Sequence, residues 1–399
     1  MCFQGVVPAG DGFKLDADEL MALGYAADSL PTVIRRYIIG KDLVQHPETR
    51  YIIDFFGVSA ADALDRYPQL YQRLRDRVYP ERAENKRASY REKWWIFAEP
   101  RPAMRHALAG LSRFIVTPYT AKYRPFVFVS GDTMPDAMAY AIASDDGAVL
   151  GALSSRAHAV WALATGGTLE DRPRYNSSAT FFPFPFPTAT EAQQTQIRNL
   201  AECLDTHRKR QQAQHPKLTL TDCYNVLEKL RAGTPLNKKE QVTHEQGLVS
   251  VLRQLHDDLD AAVADAYGLP PNATDEAILA HLCALNAQRA GEERNGLIRY
   301  LRPKFQNPES TATQTTLATN GTKATDTTIT AKPAGKLPWP KSLAEQVQAV
   351  RSALAVPTDA TTLARSFKGA KLERVEDILE TLASLGQARA LQGEKFVAP

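Results

Sequence analysis

The hydrophobic pattern of this chain changes period at Pro187, and that change sets what it can fold into. Upstream, short runs rich in Val, Ile, Phe and Tyr alternate with turn signals, as in strands that double back. Downstream, residues 189–214, 219–231, 238–267 and 274–290 carry Leu, Ala, Gln, Glu, Lys and Arg at helical spacing. In the third, Leu248, Leu252, Leu255, Leu259 and Val263 form one apolar seam. The pattern predicts a mixed α/β (α+β) domain over 1–188 and an all-α helical bundle or spacer over 189–305.

Within the first domain, Tyr51–Phe55 reads as a strand, and Asp65–Arg87 as a basic amphipathic helix with Leu70, Leu74 and Val78 on one face, ending near Pro80. Arg113–Thr117, Phe126–Ser130, Tyr140–Ala143, Ala148–Leu153 and Ala179–Phe182 read as β-rich runs, and Ser155–Ala164 as a helix. Residues 306–336 lose almost all large apolar side chains while Thr311, Thr313, Thr315, Thr316, Thr319 and five further threonines dominate. Such a stretch buries too little to offset its ordering entropy, so 306–340 is expected to be a disordered, flexible linker. Over 341–399, helical patterns at Leu343–Leu354, Thr361–Ser366 and Leu372–Leu385 precede strand-like Ala388–Leu391 and Lys395–Val397. That order predicts a small winged helix-turn-helix.

No apolar run approaches the roughly 20 residues that span a bilayer, and the N-terminus lacks the basic and apolar regions of a secretory signal. A cytoplasmic protein is expected. Cys2, Cys203, Cys223 and Cys283 stand singly, and His244-Glu245-Gln246-Gly247-Leu248 lacks the second histidine of a zinc-binding helix, so no metal site is expected. Net charge is only +3, but its distribution is uneven. Between Arg66 and Arg124 lie fourteen Lys/Arg and five Asp/Glu, and Arg101–Arg124 contains no acid. Such a region suits phosphate: Arg91, Lys93, Arg101, Arg105, Arg113, Lys122 and Arg124 are the candidate contacts to a DNA backbone. The alternative is an ordinary solvated surface. Trp94 and Trp95 are expected to pack, Phe181–Phe186 to form a structural junction pinned by prolines, and His207–Arg210 to end a solvated helix.

Six strings in order resemble the MmeI-type DNA methyltransferase and restriction family: Tyr51-Ile52-Ile53-Asp54, Tyr90 to Trp95, Glu99 to Arg105, Leu150 to Arg156, Arg174 to Ser178 and Phe182 to Pro187. Arg299-Tyr300-Leu301-Arg302-Pro303 resembles the end of the family's helical region. The resemblance implies a target-recognition domain followed by that helical region. It also points to the loop Thr168–Arg174 for reading bases, where Arg suits guanine and Glu suits the cytosine amine. The candidate base contacts are Glu170, Arg172 and Arg174, with Arg156 and His158 secondary. A charged surface loop closed by internal ion pairs is the alternative.

Methylation of an adenine amine needs a Gly-rich loop for S-adenosylmethionine and an Asn/Asp-Pro-Pro-aromatic loop for the flipped base. Neither is present: Pro270-Pro271 follows Leu269 and reads as an interhelical turn. No catalytic residue is therefore expected here, and a separate or lost methyltransferase domain would carry the cofactor. The abrupt start of the resemblance implies truncation. The expected function is sequence-specific recognition of double-stranded DNA for an adenine-specific methyltransferase. The rivals are an assembly scaffold of a restriction or defence complex, and a non-functional remnant.

Overall fold

The computed structural model describes residues 1–169, 172–295, 337–340, 346–347, 349–350, 353–354, 358–384, 389–391 and 395–397. The chain divides into two compact units, Met1–Gln314 and Thr315–Pro399. Of the linker expected over 306–340, residues 306–336 lie outside the described residues, as do the Arg299–Pro303 string and Glu170, while Leu337–Pro338 is a short strand paired with Phe367–Lys368 and not linker.

The first unit begins with strand β1 (Cys2–Gln4), β2 (Lys14–Leu15), helix α1 (Ala17–Ala22), β3 (Ile34–Ile38) and β4 (Arg50–Ile53). Four short helices follow: α2 (Ala60–Arg66), α3 (Pro68–Arg77), α4 (Tyr79–Ala83) and α5 (Ala88–Glu92). The single helix expected over Asp65–Arg87 is thus broken, because Pro68 and Pro80 each start a new helix, where a missing N–H costs nothing. Leu70, Leu74 and Val78 nevertheless share one buried face as their spacing requires. Next come α6 (Pro102–Leu108), β5 (Arg113–Pro118), β6 (Val127–Ser130), β7 (Thr133–Pro135), β8 (Ala139–Ile142), α7 (Gly147–Ser154) and α8 (Arg156–Thr165). A short hairpin, β9 (Thr168–Leu169) and β10 (Arg172–Pro173), closes this part, followed by a π-turn over Ser177–Phe181.

Two sheets organise these elements. One has the order β1-β8-β5-β6 and is antiparallel throughout; the other is β2-β4-β3-β7, with only the β3–β7 pair parallel. The first sheet is covered on both faces. Phe114, Val116, Ala139 and Ala141 join the core of the second sheet, while Ile115, Phe128, Tyr140 and Ile142 face Leu150, Leu153 and Ala201. Alternate residues along each strand therefore serve different cores, as the two-residue period of a strand demands.

Two expectations are overturned here. Ala148–Leu153 is not a strand but lies in α7, capped by Asp146, whose carboxylate accepts from Ala148 N–H at 2.9 Å. A short apolar run cannot be assigned by periodicity alone. Gly151 decides this one: a Cβ there would meet Ile197 Cγ2 at 2.5 Å, so the backbone of α7 lies directly on the helix Glu191–Gln214 that carries Ile197. Ala179–Phe182 likewise belongs to the π-turn, where Asn176 Oδ1 accepts from Ser178 N–H at 2.9 Å.

The helices beyond Pro187 are α9 (Glu191–Gln214), α10 (Leu220–Arg231), α11 (Lys238–Gly247), α12 (Val249–Ala266) and α13 (Asp275–Arg294). The stretch expected as one helix over 238–267 breaks at Leu248, which takes a left-handed conformation (φ 42°) and leaves the seam exposed at that residue. Leu252, Leu259 and Val263 remain buried. These helices are not a detached spacer. Their core takes in Ala157 and Trp161 of α8 and Phe184, so the helical part and the β-rich part share apolar side chains. His207 and Arg208 are buried in mid-helix, which corrects the solvated helix end expected for His207–Arg210. Arg208 donates to Phe126 O at 3.1 Å and to Tyr224 Oη, tying α9 to the start of β6.

The second unit contains β11 (Leu337–Pro338), β12 (Thr358–Asp359), helix α14 (Ala360–Ser366), β13 (Phe367–Lys368), helix α15 (Leu372–Ser384), β14 (Arg389–Leu391) and β15 (Lys395–Val397). β14 and β15 pair antiparallel and β12 adds to the β15 edge. Val350, Leu354, Leu363, Val375, Ile378, Leu379 and Leu382 form its core. Among the described residues, no helix is long and apolar enough to cross a membrane, and no group of three or more His, Cys, Asp or Glu is placed to hold a metal ion.

Candidate nucleic-acid interface

The hairpin β9–β10 carries the loop from which base recognition is expected. Gly166 and Gly167 form its root. A Cβ on Gly166 would lie 2.3 Å from Arg174 O, and Gly167 has φ +67°, a turn conformation that glycine adopts without strain. Leu169 pairs with Arg172 and Thr168 with Pro173. Arg174 then bridges Thr120, and Tyr175 N–H donates to Tyr119 O at 2.8 Å, fastening the returning chain to the end of β5.

Beneath the hairpin lies a buried aromatic block. Tyr175 is fully buried, its ring meeting Phe126, Tyr140 and His158 edge to face. The Tyr175 hydroxyl and His158 Nε2 share one hydrogen bond of 3.0 Å, and Trp161 Nε1–H donates to Thr180 O at 2.9 Å. His158, expected to reach a base, therefore cannot do so: it supports the hairpin from below. Arg124 is a strut, not a phosphate contact. Its Nη2 donates to Pro173 O at 2.8 Å and its Nη1 to Pro118 O, and its guanidinium lies 5.2 Å from the Tyr175 ring centre. Desolvation lowers its pKa to about 10.

Other cations also prove to be internal ties. Arg105 forks onto Asp54 at 2.5 and 2.9 Å, and Arg101, at φ 54°, donates to Gly5 O at 3.1 Å and pairs with Glu99 at 2.7 Å. Arg113 is held by Glu202 and the Asp145 carbonyl, and Arg156 by Asp275 at 2.8 Å and Ala273 O at 2.9 Å. For Arg101, Arg105, Arg113 and Arg156 the geometry thus favours structural pairing over DNA contact. Lys122 makes an exposed pair with Glu228 at 3.2 Å, an interaction weak enough to yield to a phosphate. Arg91 and Lys93 remain exposed at the end of α5, and among the described residues Arg91 donates only to the Asn85 and Lys86 carbonyls, which carry no charge to compensate its own.

Arg172 is exposed on β10. Arg174 differs from every other candidate. Its Nε is buried without an acceptor among the described residues, and no hydrogen bond from its terminal nitrogens accompanies it. A buried donor left unpaired in a folded chain is costly, and Arg208 Nε and His158 Nδ1 are left in the same state. Sequence reasoning did not foresee the supporting roles of Tyr175, His158 and Arg124. The signal lay in the adjacency of Tyr175 to the two arginines of the loop, but a tyrosine's burial is not written in its neighbours.

Three buried histidines, His158, His207 and His256, give the fold a pH dependence, each lowered chiefly by desolvation. Desolvation lowers His158 to about 3, and it lowers His256, which accepts from Arg208 Nη2 at 3.2 Å and so must be neutral. Between pH 6.5 and about 3 the unfolded chain binds protons that folded His158 refuses, so stability falls as pH falls through this window. Each such histidine contributes a slope of about 1.4 kcal/mol per pH unit. Asp260, raised to about 6 chiefly by burial, acts oppositely between its ordinary value and 6, offsetting one of the three. Urea denaturation at pH 7 and pH 5 should show the net loss at pH 5; equal stability would contradict the neutral assignments.

Residues 3–188 match the family model of the MmeI target recognition domain. No curated protein sequence matches the chain. Among solved structures, it resembles the type IIL restriction-modification enzyme MmeI in complex with DNA, with a TM-score of 0.56 and 21% identity over 73% of this chain. The match spans 35% of that enzyme's chain, so this protein corresponds to about a third of its length. At that identity the likeness concerns the fold, a mixed α/β arrangement of sheets and many helices. The hairpin seated on its aromatic block thus lies within the segment, residues 3–188, that matches the model of the MmeI target recognition domain.

Proposed function

We propose that this protein recognises a specific sequence in double-stranded DNA on behalf of an adenine-specific methyltransferase or restriction-modification enzyme. The observation that carries this reading is Arg174, half-buried at the base of an exposed hairpin on a rigid support, its guanidinium making no hydrogen bond among the described residues. An arginine fork presented in this way suits the O6 and N7 acceptors of guanine in the major groove. Arg172, and Glu170 outside the described residues, flank it as further base contacts, while Arg91, Lys93 and Lys122 serve the backbone. The chain's own residues do not fit S-adenosylmethionine chemistry: Leu269-Pro270-Pro271 is the turn between α12 and α13, not a loop that receives a flipped base. Methyl transfer is therefore assigned to a separate catalytic partner. The second unit, with α14, α15 and a paired β14–β15, is read as a winged helix.

The test is selection of a randomised duplex library by the purified chain at two salt concentrations. Enrichment of one short motif is expected. Arg174→Ala should weaken binding to that motif by about 1–3 kcal/mol and relax preference at one position. Arg91→Ala or Lys93→Ala should weaken all sequences alike and reduce the salt slope by about one. Binding without a motif would sink the recognition reading. A scaffold role is favoured by one feature, the exposed Val242, Leu248 and Val251 around the α11–α12 corner, and stable protein complexes without DNA binding would support it.

A further inference from the structure

A recess of about 410 Å³ opens between β3, the loop after β4, α6 and the turn joining β6 to β7, apart from the hairpin. Its floor is apolar, formed by Val33, Met104, Leu108 and Met134. Three charged side chains line one wall. Asp54 is buried, its side chain 5% exposed, and Arg105 holds both of its oxygens. Arg105 is itself immobilised: its Nε–H donates to Pro100 O at 2.5 Å and its guanidinium covers one face of Phe56, 4.5 Å from the ring centre. Arg35 comes second to the carboxylate. Its Nε stands 3.8 Å from Asp54, beyond hydrogen-bond reach, and its side chain is 37% exposed with no hydrogen bond among the described residues.

Two guanidinium groups against one carboxylate leave one net positive charge, presented by Arg35 above an apolar floor. Arg35 lies within β3, paired with Ile52 of β4, and β7 holds the strand from Arg36 onward, so its backbone cannot swing away. A guanidinium fork matches a carboxylate through two parallel N–H···O bonds. Asp54 nearby disfavours a second negative charge on any occupant. The volume falls within the range of small-molecule sites, which are mostly apolar with a few placed polar groups.

We propose that this recess binds a small monocarboxylic acid with an apolar body. The carboxylate pairs with Arg35, and the body rests on Met104, Leu108 and Met134 beside the exposed edge of Phe56. The site is independent of DNA recognition.

Titration of the full chain with phenylacetate, phenylacetamide and phenyl phosphate tests this. Phenylacetate should bind saturably and shift the methyl resonances of Met104 and Met134. Phenylacetamide, which lacks the charge, should bind at least about tenfold more weakly, and so should phenylacetate to Arg35→Gln. That variant should keep its melting temperature, because the 3.8 Å pair it removes is partly exposed. Equal binding of the amide, tighter binding of phenyl phosphate, unchanged affinity in Arg35→Gln, or no shift at the two methionines would each overturn the proposal.

Discussion

Arg105→Ala is expected to lower stability by about 3–5 kcal/mol, because it strands the buried Asp54 carboxylate without its cation. Arg35 cannot substitute, since it stands 3.8 Å from Asp54 and is partly solvated. The variant also bares the Phe56 face and frees the Pro100 carbonyl, both of which Arg105 now covers. The loss should appear as faster hydrogen exchange of β3 and β4 amides, which border Asp54. Asp54→Ala combined with Arg105→Ala should recover part of it, because the uncompensated charge is then gone. A loss below about 1 kcal/mol, or a double variant as unstable as the sum of the singles, would show that the pair is not the anchor described here.

Gly5→Ala is the second substitution with a large expected effect. Gly5 follows β1, where its N–H donates to Ala139 O at 3.0 Å, and the chain passes so close to β7 that a Cβ would lie 2.2 Å from Asp136 O and 2.3 Å from Pro135 O. Both are backbone atoms and cannot rotate away. Relief requires β1 to separate from β8, or Val6 from its bridge to Asp136, and the guanidinium of Arg101 rests on the same Gly5 carbonyl. A cost of about 3 kcal/mol is expected, at the upper end of overpacking. Gly110→Ala is the control. Its φ is +80° with nothing within 4 Å, so only backbone strain of about 1–2 kcal/mol applies. Melting temperatures of the two variants should differ accordingly; equal shifts would mean that β1 has room to move.

Local signals served the helical half well. The helical spacing of apolar residues locates α9, α10 and α13 to within a few residues, because the turns of a helix join near neighbours in sequence. The same logic failed at Ala148–Leu153, where strand and helix bury a short apolar run equally well and only contact with α9 selects the helix. It failed again at Leu248, whose backbone leaves the helical region in a run of otherwise regular period.

The candidate interface was legible as a region and not as a set of residues. Charge counting singled out Arg66–Arg124, and the loop before Tyr175 was placed by resemblance, both from the order of side chains along the chain. Sequence alone thus determined the change from β-rich to helical elements at Pro187, the basic stretch and the position of the loop before Tyr175. It could not determine which arginine is free. Arg105, Arg113, Arg124, Arg156 and Arg174 are chemically identical, yet four are held by acceptors 5 to 119 residues away in the chain, while Arg174 keeps an unpaired donor. Whether a guanidinium is a strut or a probe depends on which acceptors folding brings to it, and pairing of that kind exists only in three dimensions.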